Sequence, residues 1–269
     1  MPRFVTASLH VDYLRPTPLG PELEIRGRAK EVGPRKVVVE ARVLANGELT
    51  ARGVVVAVRM PEGMANRFDE AAATWDEEPR RVALARAVAD EIARRVPLSR
   101  DVDVLDFGCG TGLLTLALQP LVRSVTGADT SAGMLEVLGQ KVRARGLANV
   151  ETIRLDANVP LSVDARFHLI VSSMALHHVA NLAPLFERFH EQLHPGGRLA
   201  LADLDREDGS FHEDPREVHH LGFERSELQA VLAEAGFVGL GATTAIVTRK
   251  ESRDYPVFLI TGQKPPELR

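Results

Sequence analysis

Three closely spaced glycines are the feature of this 269-residue chain with the clearest chemical use. An apolar strand predicted over 102–107 leads directly into Gly108, Gly110 and Gly112, and a helix is predicted over 112–119. Glycine has no Cβ, so the backbone can turn sharply there and approach a ligand closely. The G-x-G-x-G spacing therefore predicts a small-molecule site where this strand ends.

Two carboxylates accompany the glycines. Asp106 precedes the first of them, and Asp129 directly follows the next predicted strand, 123–128. At that place Asp129 could accept hydrogen bonds from both hydroxyls of a ribose. Asp106 could balance a positive charge on the ligand or hold the loop in place, and the sequence leaves both roles open.

The residue after the third glycine separates two classes of nucleotide site. A dinucleotide fingerprint has the spacing G-x-G-x-x-G, whereas position 113 of this chain is Leu113. The glycine that completes a pyrophosphate cradle is therefore missing, and this disfavours an NAD-dependent oxidoreductase.

A helix is predicted over 82–96, where the apolar positions follow the 3.6-residue period. After it, predicted strands and helices alternate along the chain. Such alternation predicts an α/β fold with a mostly parallel sheet covered by helices. Two capping boxes are predicted, Thr74 with Glu77 and Ser226 with Gln229. The predicted strands are 102–107, 123–128, 150–155, 167–172, 198–203, 238–248 and 256–262, and the helices after 82–96 are 112–119, 131–145, 182–193 and 226–235.

Residues 1–62 have the two-residue period of strands instead. Apolar and polar residues alternate from Val5 to Tyr13, which is typical of a half-buried antiparallel strand. Three more strands are predicted before Pro61, where the pattern changes to the helical period. The chain is therefore predicted to divide into an antiparallel β module at 1–62 and an α/β domain at 63–269.

The hairpin around Asn46-Gly47 admits two registers. A two-residue loop would place Val43 opposite Thr50, whereas a three-residue loop over 45–47 places Val43 opposite Leu49 on a shared apolar face. The three-residue loop is preferred, because register follows the face that must be buried.

The complete array of glycines and carboxylates resembles the S-adenosylmethionine (AdoMet) site of class I AdoMet-dependent methyltransferases, and the resemblance extends over 64–265. In that family a helix like 68–75 leads into the domain and partly covers the cofactor. The resemblance implies a Rossmann-like seven-stranded sheet with helices on both faces and an antiparallel final hairpin. It assigns cofactor binding to Asp106, Gly108, Cys109, Gly110, Gly112, Asp129, Thr130, Met134, Asp156, Ala157 and Ser172.

The activity that this resemblance implies is methyl transfer from AdoMet to a small organic molecule. Positions 172–175 lack the Asn/Asp-Pro-Pro-Tyr signature of DNA-adenine and glutamine methylation. On the substrate side, the catalytic candidates are His178, His219 and Asp203, with His212 and His220 also available to line the pocket. Positioning alone can lower the barrier by about 7–11 kcal/mol, so a dedicated base is not required. The adjacent pairs His177-His178 and His219-His220 could suggest metal ligation. Adjacent helical side chains diverge by about 100°, however, so metal binding is not expected.

The first strands resemble part of a second family. The segments 6–16 and 47–53 are similar to the last strands of a hotdog-fold acyl-CoA thioesterase, whose long central helix and upstream catalytic carboxylate have no counterpart here. The alternative function is therefore an acyl-binding or thioesterase-like protein with a non-catalytic AdoMet-binding domain. The apolar face of such a fragment needs cover, so either two copies pair through the strand Val5–Tyr13 or the sheet packs on the methyltransferase domain. A homodimer is expected.

Composition excludes several other classes. The net charge of −4 disfavours a nucleic-acid-binding surface, and no apolar run reaches the roughly 18 residues of a membrane span. The first residues lack the pattern of a secretory signal. A single cysteine, Cys109, excludes an internal disulfide and is interpreted as a packing residue. The chain is predicted to be cytoplasmic.

Overall fold

A computed structural model describes residues 4–17, 20, 23–33, 36–59, 67–155, 166–212 and 218–267. The chain divides into two compact units, Met1–Ala65 and Asn66–Arg269. The predicted boundary between residues 62 and 63 lies outside the described residues. Within the described ranges, no helix is long and apolar enough to cross a membrane.

The first unit is a four-stranded antiparallel sheet. Its strands lie side by side in the order β1-β4-β3-β2. The described residues of this unit contain strands and no helix, and β2 is exposed along its whole length. The strands are β1 (Phe4–Tyr13), β2 (Leu23–Val32), β3 (Lys36–Ala45) and β4 (Glu48–Arg59).

The hairpin between β3 and β4 corrects the predicted register. Asn46 and Gly47 both have positive φ, 51° and 80°, as a two-residue type I′ turn requires. The three-residue loop was therefore wrong. A register shift between Val43 and Leu44 then places Val43 opposite Ala51. This shift returns the odd-numbered residues of both strands to one face, so the apolar face forms although the predicted partners were incorrect.

The second unit is a seven-stranded sheet with helices on both faces, as predicted. The strand order is β10-β11-β9-β8-β5-β6-β7, and the strands from β9 to β7 in this order run parallel to one another, whereas β11 is antiparallel to both β9 and β10. The elements are α1 (Arg67–Ala71), a 3₁₀ helix (Ala72–Glu77), α2 (Pro79–Arg95), β5 (Asp103–Phe107), α3 (Leu113–Leu118), β6 (Ser124–Asp129), α4 (Ala132–Ala144), β7 (Val150–Arg154), β8 (Phe167–Ser173), a 3₁₀ turn (Leu176–His178), α5 (Leu182–Gln192), β9 (Leu193–Leu204), α6 (Arg225–Glu234), β10 (Val238–Lys250) and β11 (Arg253–Gln263).

Burial of successive strand residues explains the layers. Val104 and Leu105 of β5 are both fully buried, although neighbouring residues of a strand point to opposite faces. Val104 belongs to a core cluster that includes residues of α2 and α3, and Leu105 to one that includes residues of α5 and α6. Because β5, β6, β8 and β9 are parallel, their carboxyl ends meet at one edge of the sheet.

Two helix starts differ from the predicted capping boxes. Residues 72–77 form the 3₁₀ helix, and α2 begins after it, where the Glu78 side chain accepts a hydrogen bond from the Arg80 backbone N–H at 3.3 Å. Ser226 lies inside α6, because that helix is preceded by Glu224. The predicted capping boxes at Thr74 and Ser226 were therefore wrong. The residues that precede the two helices are Glu78 for α2 and Glu224 for α6.

Candidate active site

The glycine loop after β5 contains three left-handed residues. Gly108, Gly110 and Gly112 have φ values of 71°, 53° and 83°, which L side chains rarely adopt. A Cβ on Gly108 would collide with the Ala175 side chain, and one on Gly112 would collide with Leu138. Beside a Cβ on Gly110, in contrast, the nearest atom would be the Met134 sulfur at 4.0 Å. Gly108 and Gly112 therefore allow close packing within the protein, whereas Gly110 has open space above its backbone.

We expect this difference to separate the effects of two alanine substitutions on stability. Gly110→Ala should cost only the left-handed backbone penalty, about 1–2 kcal/mol, whereas Gly108→Ala adds the overlap with Ala175. Thermal unfolding of both variants against the unsubstituted protein measures this, and Gly108→Ala should have the clearly lower Tm. Equal losses in the two variants would contradict the assigned packing.

Asp129 connects the glycine loop to helix α4. Its Oδ2 accepts a hydrogen bond from the Gly110 backbone N–H and its Oδ1 accepts one from the Ser131 N–H, both at 2.8 Å. Burial raises the pKa of this carboxyl above its ordinary value, although those N–H groups act in the opposite direction. A carboxylate has about four lone-pair positions, so each oxygen can accept one more hydrogen bond from a ligand.

Asp106 lies beneath the loop and is only 1% exposed. Its Oδ2 accepts a hydrogen bond from the Thr115 hydroxyl at 2.5 Å, which connects β5 to α3. Burial raises the pKa of Asp106 to about 7, and the negative charge of Asp129 raises it further in the same direction. Of the two roles left open by the sequence, the contact with Thr115 corresponds to holding the loop in place.

We expect Asp106 to make stability depend on pH. Because its pKa is raised to about 7 in the folded chain, its contribution is fully present below the unfolded pKa of about 3.9 and is lost as the pH rises through 7. Asp106→Asn removes this loss. Its advantage in stability over the unsubstituted protein should grow by about 1.4 kcal/mol per pH unit up to pH 7 and then level off. Thermal unfolding of both proteins from pH 5 to 8.5 measures this, and a difference that does not vary with pH would contradict it.

Two carboxylates of the segment 67–77, which precedes α2, form hydrogen bonds to the glycine loop and to the start of α4. Asp69 Oδ1 accepts hydrogen bonds from the Ser131 hydroxyl at 2.5 Å and the Gly133 N–H at 2.7 Å. Asp76 accepts a hydrogen bond from the Thr111 hydroxyl at 2.5 Å and forms an ion pair with Lys141. The sequence placed this segment near the cofactor but did not reveal these two contacts, since both partners are distant along the chain.

Residues at the ends of β8 and β9 form the other side of the site. Ser172 is fully buried, and its hydroxyl donates to the Phe107 carbonyl at 2.9 Å, so that it joins β8 to β5. Met174 follows with a φ of 57°. A left-handed conformation in a residue other than glycine costs about 1–3 kcal/mol and often marks a functional site.

Asp203 is fully buried at the end of β9 and pairs with His177. Its carboxylate accepts hydrogen bonds from His177 Nδ1 at 2.8 Å, from the His177 backbone N–H at 3.2 Å and from the Leu204 N–H at 2.8 Å. Burial alone would raise the pKa of Asp203, but the charge and hydrogen bonds of His177 lower it below its ordinary value. Sequence analysis missed His177, which only the proximity of β8 and β9 brings to Asp203.

A histidine cluster forms around this pair, and we define it as His177, His178 and His212. The His177 ring centroid lies 4.1 Å from that of His178 and 4.7 Å from that of His212. His178 also contacts Phe68 of α1, with ring centroids 5.2 Å apart. His219 is exposed, and it is its backbone N–H that reaches the cluster, donating to the His177 carbonyl at 2.9 Å. The predicted catalytic candidates Asp203 and His178 therefore come together, whereas the His219 side chain lies at the surface.

The remaining predicted cofactor residues have varied positions. Met134 is buried at the start of α4, and Thr130 is exposed beside Asp129. Cys109 is buried, and burial raises the pKa of its thiol well above the usual range. Asp156 and Ala157 lie outside the described residues. In the part of the chain that the structure describes, no three His, Cys, Asp or Glu side chains are grouped to hold a metal ion.

Residues 104–197 match a family model described as a methyltransferase domain, and residues 2–51 match the thioesterase superfamily. An uncharacterized methyltransferase of Schizosaccharomyces pombe is 35% identical over 130 residues, which are 45% of this chain and 46% of that protein. A ubiquinone biosynthesis O-methyltransferase of Chelativorans sp. is 28% identical over 181 residues, covering 60% of this chain and 71% of that protein.

A solved structure shows the same fold. Phosphoethanolamine N-methyltransferase 2 of Haemonchus contortus, in complex with AdoMet, has a TM-score of 0.59 at 15% identity and covers 88% of this chain and 71% of its own. This chain spans less than half the length of the S. pombe protein. Both resemblances inferred from the sequence are confirmed by these matches, which favour methyl transfer over the thioesterase-like alternative.

Proposed function

We propose that this chain, which contains a methyltransferase domain, transfers a methyl group from AdoMet to a small organic acceptor. The observation that supports this most strongly is the junction between the glycine loop and Asp129. There the open backbone of Gly110 lies one hydrogen bond of 2.8 Å from a carboxylate at the tip of the neighbouring strand.

The described residues suit AdoMet in shape and in charge. Open space above Gly110 would receive the methionyl part, and Asp129 has free lone-pair positions for the ribose hydroxyls. Gly110, Asp129, Thr130 and Met134 would hold the cofactor, together with the fastened segment 67–77. The carboxylate of Asp129 favours a ligand with positive charge. When bound, AdoMet supplies an electrophilic methyl group on a sulfonium.

The protein's own contribution is to position the acceptor and exclude water. The histidine cluster and the end of β9 lie at the same sheet edge as the glycine loop, and the Ala175 side chain packs directly against Gly108. An acceptor that contacts the cluster would therefore be adjacent to the loop. Small-molecule acceptors are in keeping with the relative named for ubiquinone biosynthesis.

Calorimetry with AdoMet and with NAD tests the cofactor assignment. We expect AdoMet to bind and NAD to give no heat of binding, because Leu113 replaces the glycine of a dinucleotide loop. Mass spectrometry of reactions with a methyl-labelled donor then tests transfer. A protein that does not bind AdoMet would overturn the proposal.

The thioesterase-like module is proposed to be a packing element without hydrolytic activity. The described residues of this module form four strands and no helix, so they do not contain the long helix of a complete hotdog domain. Hydrolysis of acyl-CoA that persists in an Asp129→Asn variant would favour the alternative function. The homodimer through this module, the division at residues 62 and 63 and the cytoplasmic location stay predictions.

A further inference from the structure

A buried ring nitrogen of His212, beside the proposed site, has no hydrogen-bond partner in the part of the chain that the structure describes. The Nε2 atom of His212 is buried and makes no hydrogen bond to any described residue. A buried polar atom without a partner costs about 1–3 kcal/mol, so native structures rarely keep one without a reason. A ligand that supplies the missing hydrogen bond is such a reason.

We propose that His212 Nε2 binds the hydroxyl group of the methyl acceptor, which makes the acceptor a phenol, enol or alcohol that is methylated on oxygen. This inference rests on the proposed function and adds to it the chemical class of the substrate.

The position of His212 is the first argument. Its ring is 4.7 Å from His177, which follows the Ala175 that packs on Gly108. Phe68 of the segment that covers this region contacts His178, whose ring is 6.3 Å from that of His212. The His212 ring thus lies beside the turn that packs against the glycine loop, at the carboxyl edge of the sheet.

The hydrogen-bonding chemistry of the ring is the second argument. Burial lowers the pKa of His212 to about 4, so the ring is neutral at physiological pH. In one neutral tautomer Nε2 is a donor, and in the other it is an acceptor. A hydroxyl group both donates and accepts, so it satisfies either tautomer, whereas a carbon acceptor offers no such hydrogen bond.

The charges that face His212 are the third argument. The positive charges of Arg67 and Lys250 act on it from α1 and β10, and His177 acts in the same direction. The negative charge of Asp203 opposes them but is paired with His177 at 2.8 Å. The net positive potential disfavours a cationic amine and stabilises an oxygen that becomes negative as it reacts.

The reaction balances with the groups already named. The acceptor oxygen forms the new bond to the methyl carbon, the hydroxyl proton is released to solvent, and the donor sulfur keeps the electron pair of the broken bond. His212 ends each cycle neutral, and no oxidant or reductant takes part.

The first experiment identifies the methylated atom. The purified full-length protein is incubated with AdoMet that carries a ¹³C-labelled methyl group and an extract of small metabolites, and labelled products are analysed by NMR. Label on oxygen supports the inference, and label on nitrogen, sulfur or carbon overturns it while leaving the proposed function intact. A protein that binds AdoMet yet labels nothing fails as a methyltransferase, and the inference then falls with the proposed function.

The second experiment tests His212 itself with the labelled acceptor. We expect His212→Leu to lower kcat/KM about 10- to 100-fold, mainly through KM, because one buried hydrogen bond is lost. His212→Gln, which retains a polar group, should recover part of this loss. His190→Leu is the matched control, since His190 is half-buried with a lowered pKa but lies outside the cluster at the end of α5.

Two measurements separate this role from a structural one. AdoMet affinity by calorimetry should be unchanged in the three variants, which also shows that they fold. In ¹⁵N spectra of the unsubstituted protein, acceptor binding should shift the ring nitrogen signals of His212 and leave those of His190 in place. An unchanged KM in His212→Leu and His212→Gln, or an unshifted His212 signal, would overturn the proposal.

Discussion

Replacing Asp129 with asparagine should weaken AdoMet binding by about 30- to 1000-fold. The substitution preserves size but removes the charge that two ribose hydroxyls would meet. Each hydrogen bond to a charged group contributes about 1.5–3 kcal/mol, against about 0.5–1.5 kcal/mol for one to a neutral group. The Gly110 and Ser131 N–H groups donate to different oxygens of Asp129, each at 2.8 Å, and asparagine replaces one of these oxygens by an NH₂ that cannot accept. The loop therefore loses its link to α4 in the same step.

The same chemical change elsewhere on the sheet provides the control. Asp103 stands at the opposite end of β5, where its carboxylate pairs with Arg123. Asp103→Asn removes a charge and an ion pair without touching the glycine loop, so AdoMet affinity should stay within about twofold of the original. Calorimetry of both variants makes the comparison. Equal affinities for the Asp103 and Asp129 variants would contradict the assignment of Asp129.

Replacing Asp203 with asparagine should destabilise the protein by about 3–5 kcal/mol, because it leaves His177 buried without its charged partner. His177 is 2% exposed and Asp203 is not exposed at all, so water cannot take the place of the lost carboxylate. Urea unfolding at pH 7, followed by a signal from the second unit, measures the loss.

The stabilisation that Asp203 provides depends on pH. The pKa of Asp203 is lowered in the folded chain. Its contribution to stability is therefore present above the unfolded pKa of about 3.9 and is lost as the pH falls through the folded value. The difference between the original protein and Asp203→Asn should be full at pH 7 and shrink in strong acid.

A double-mutant cycle isolates the pair itself. Combining Asp203→Asn with His177→Gln replaces the carboxylate and the imidazole by two neutral amides, so the double variant should be more stable than the sum of the single losses by about 1–3 kcal/mol. Strict additivity would show that the two side chains act independently and would contradict the pairing.

Much of the fold follows from local pattern in the second unit. The alternation of apolar strands and amphipathic helices predicted seven strands and their helices, because each element must bury one face and the period of the apolar residues reveals which. Errors occur where that pattern has little influence. The capping boxes at Thr74 and Ser226 failed because helix starts depend on single hydrogen bonds, and the register beyond Asn46-Gly47 failed because of a bulge that no periodicity indicates.

The candidate site divides in the same way. Gly108, Gly110, Gly112 and Asp129 could be named from the sequence, since left-handed loops require glycine and the carboxylate follows a strand directly. His177 could not be distinguished from His178, because neighbouring residues in one turn have the same local context. Only the position of β9 beside β8 gave His177 a buried partner, at 2.8 Å from Asp203.

The sequence by itself therefore determined the class of fold, the glycine loop and the presence of two different modules. These depend on residue type and short spacing, which the chain displays directly. Only the tertiary structure decided which carboxylates fasten segment 67–77, which histidine pairs with Asp203 and which ring nitrogen is left without a partner. Those features arise from contacts between residues distant along the chain, and they depend on where whole strands and helices pack.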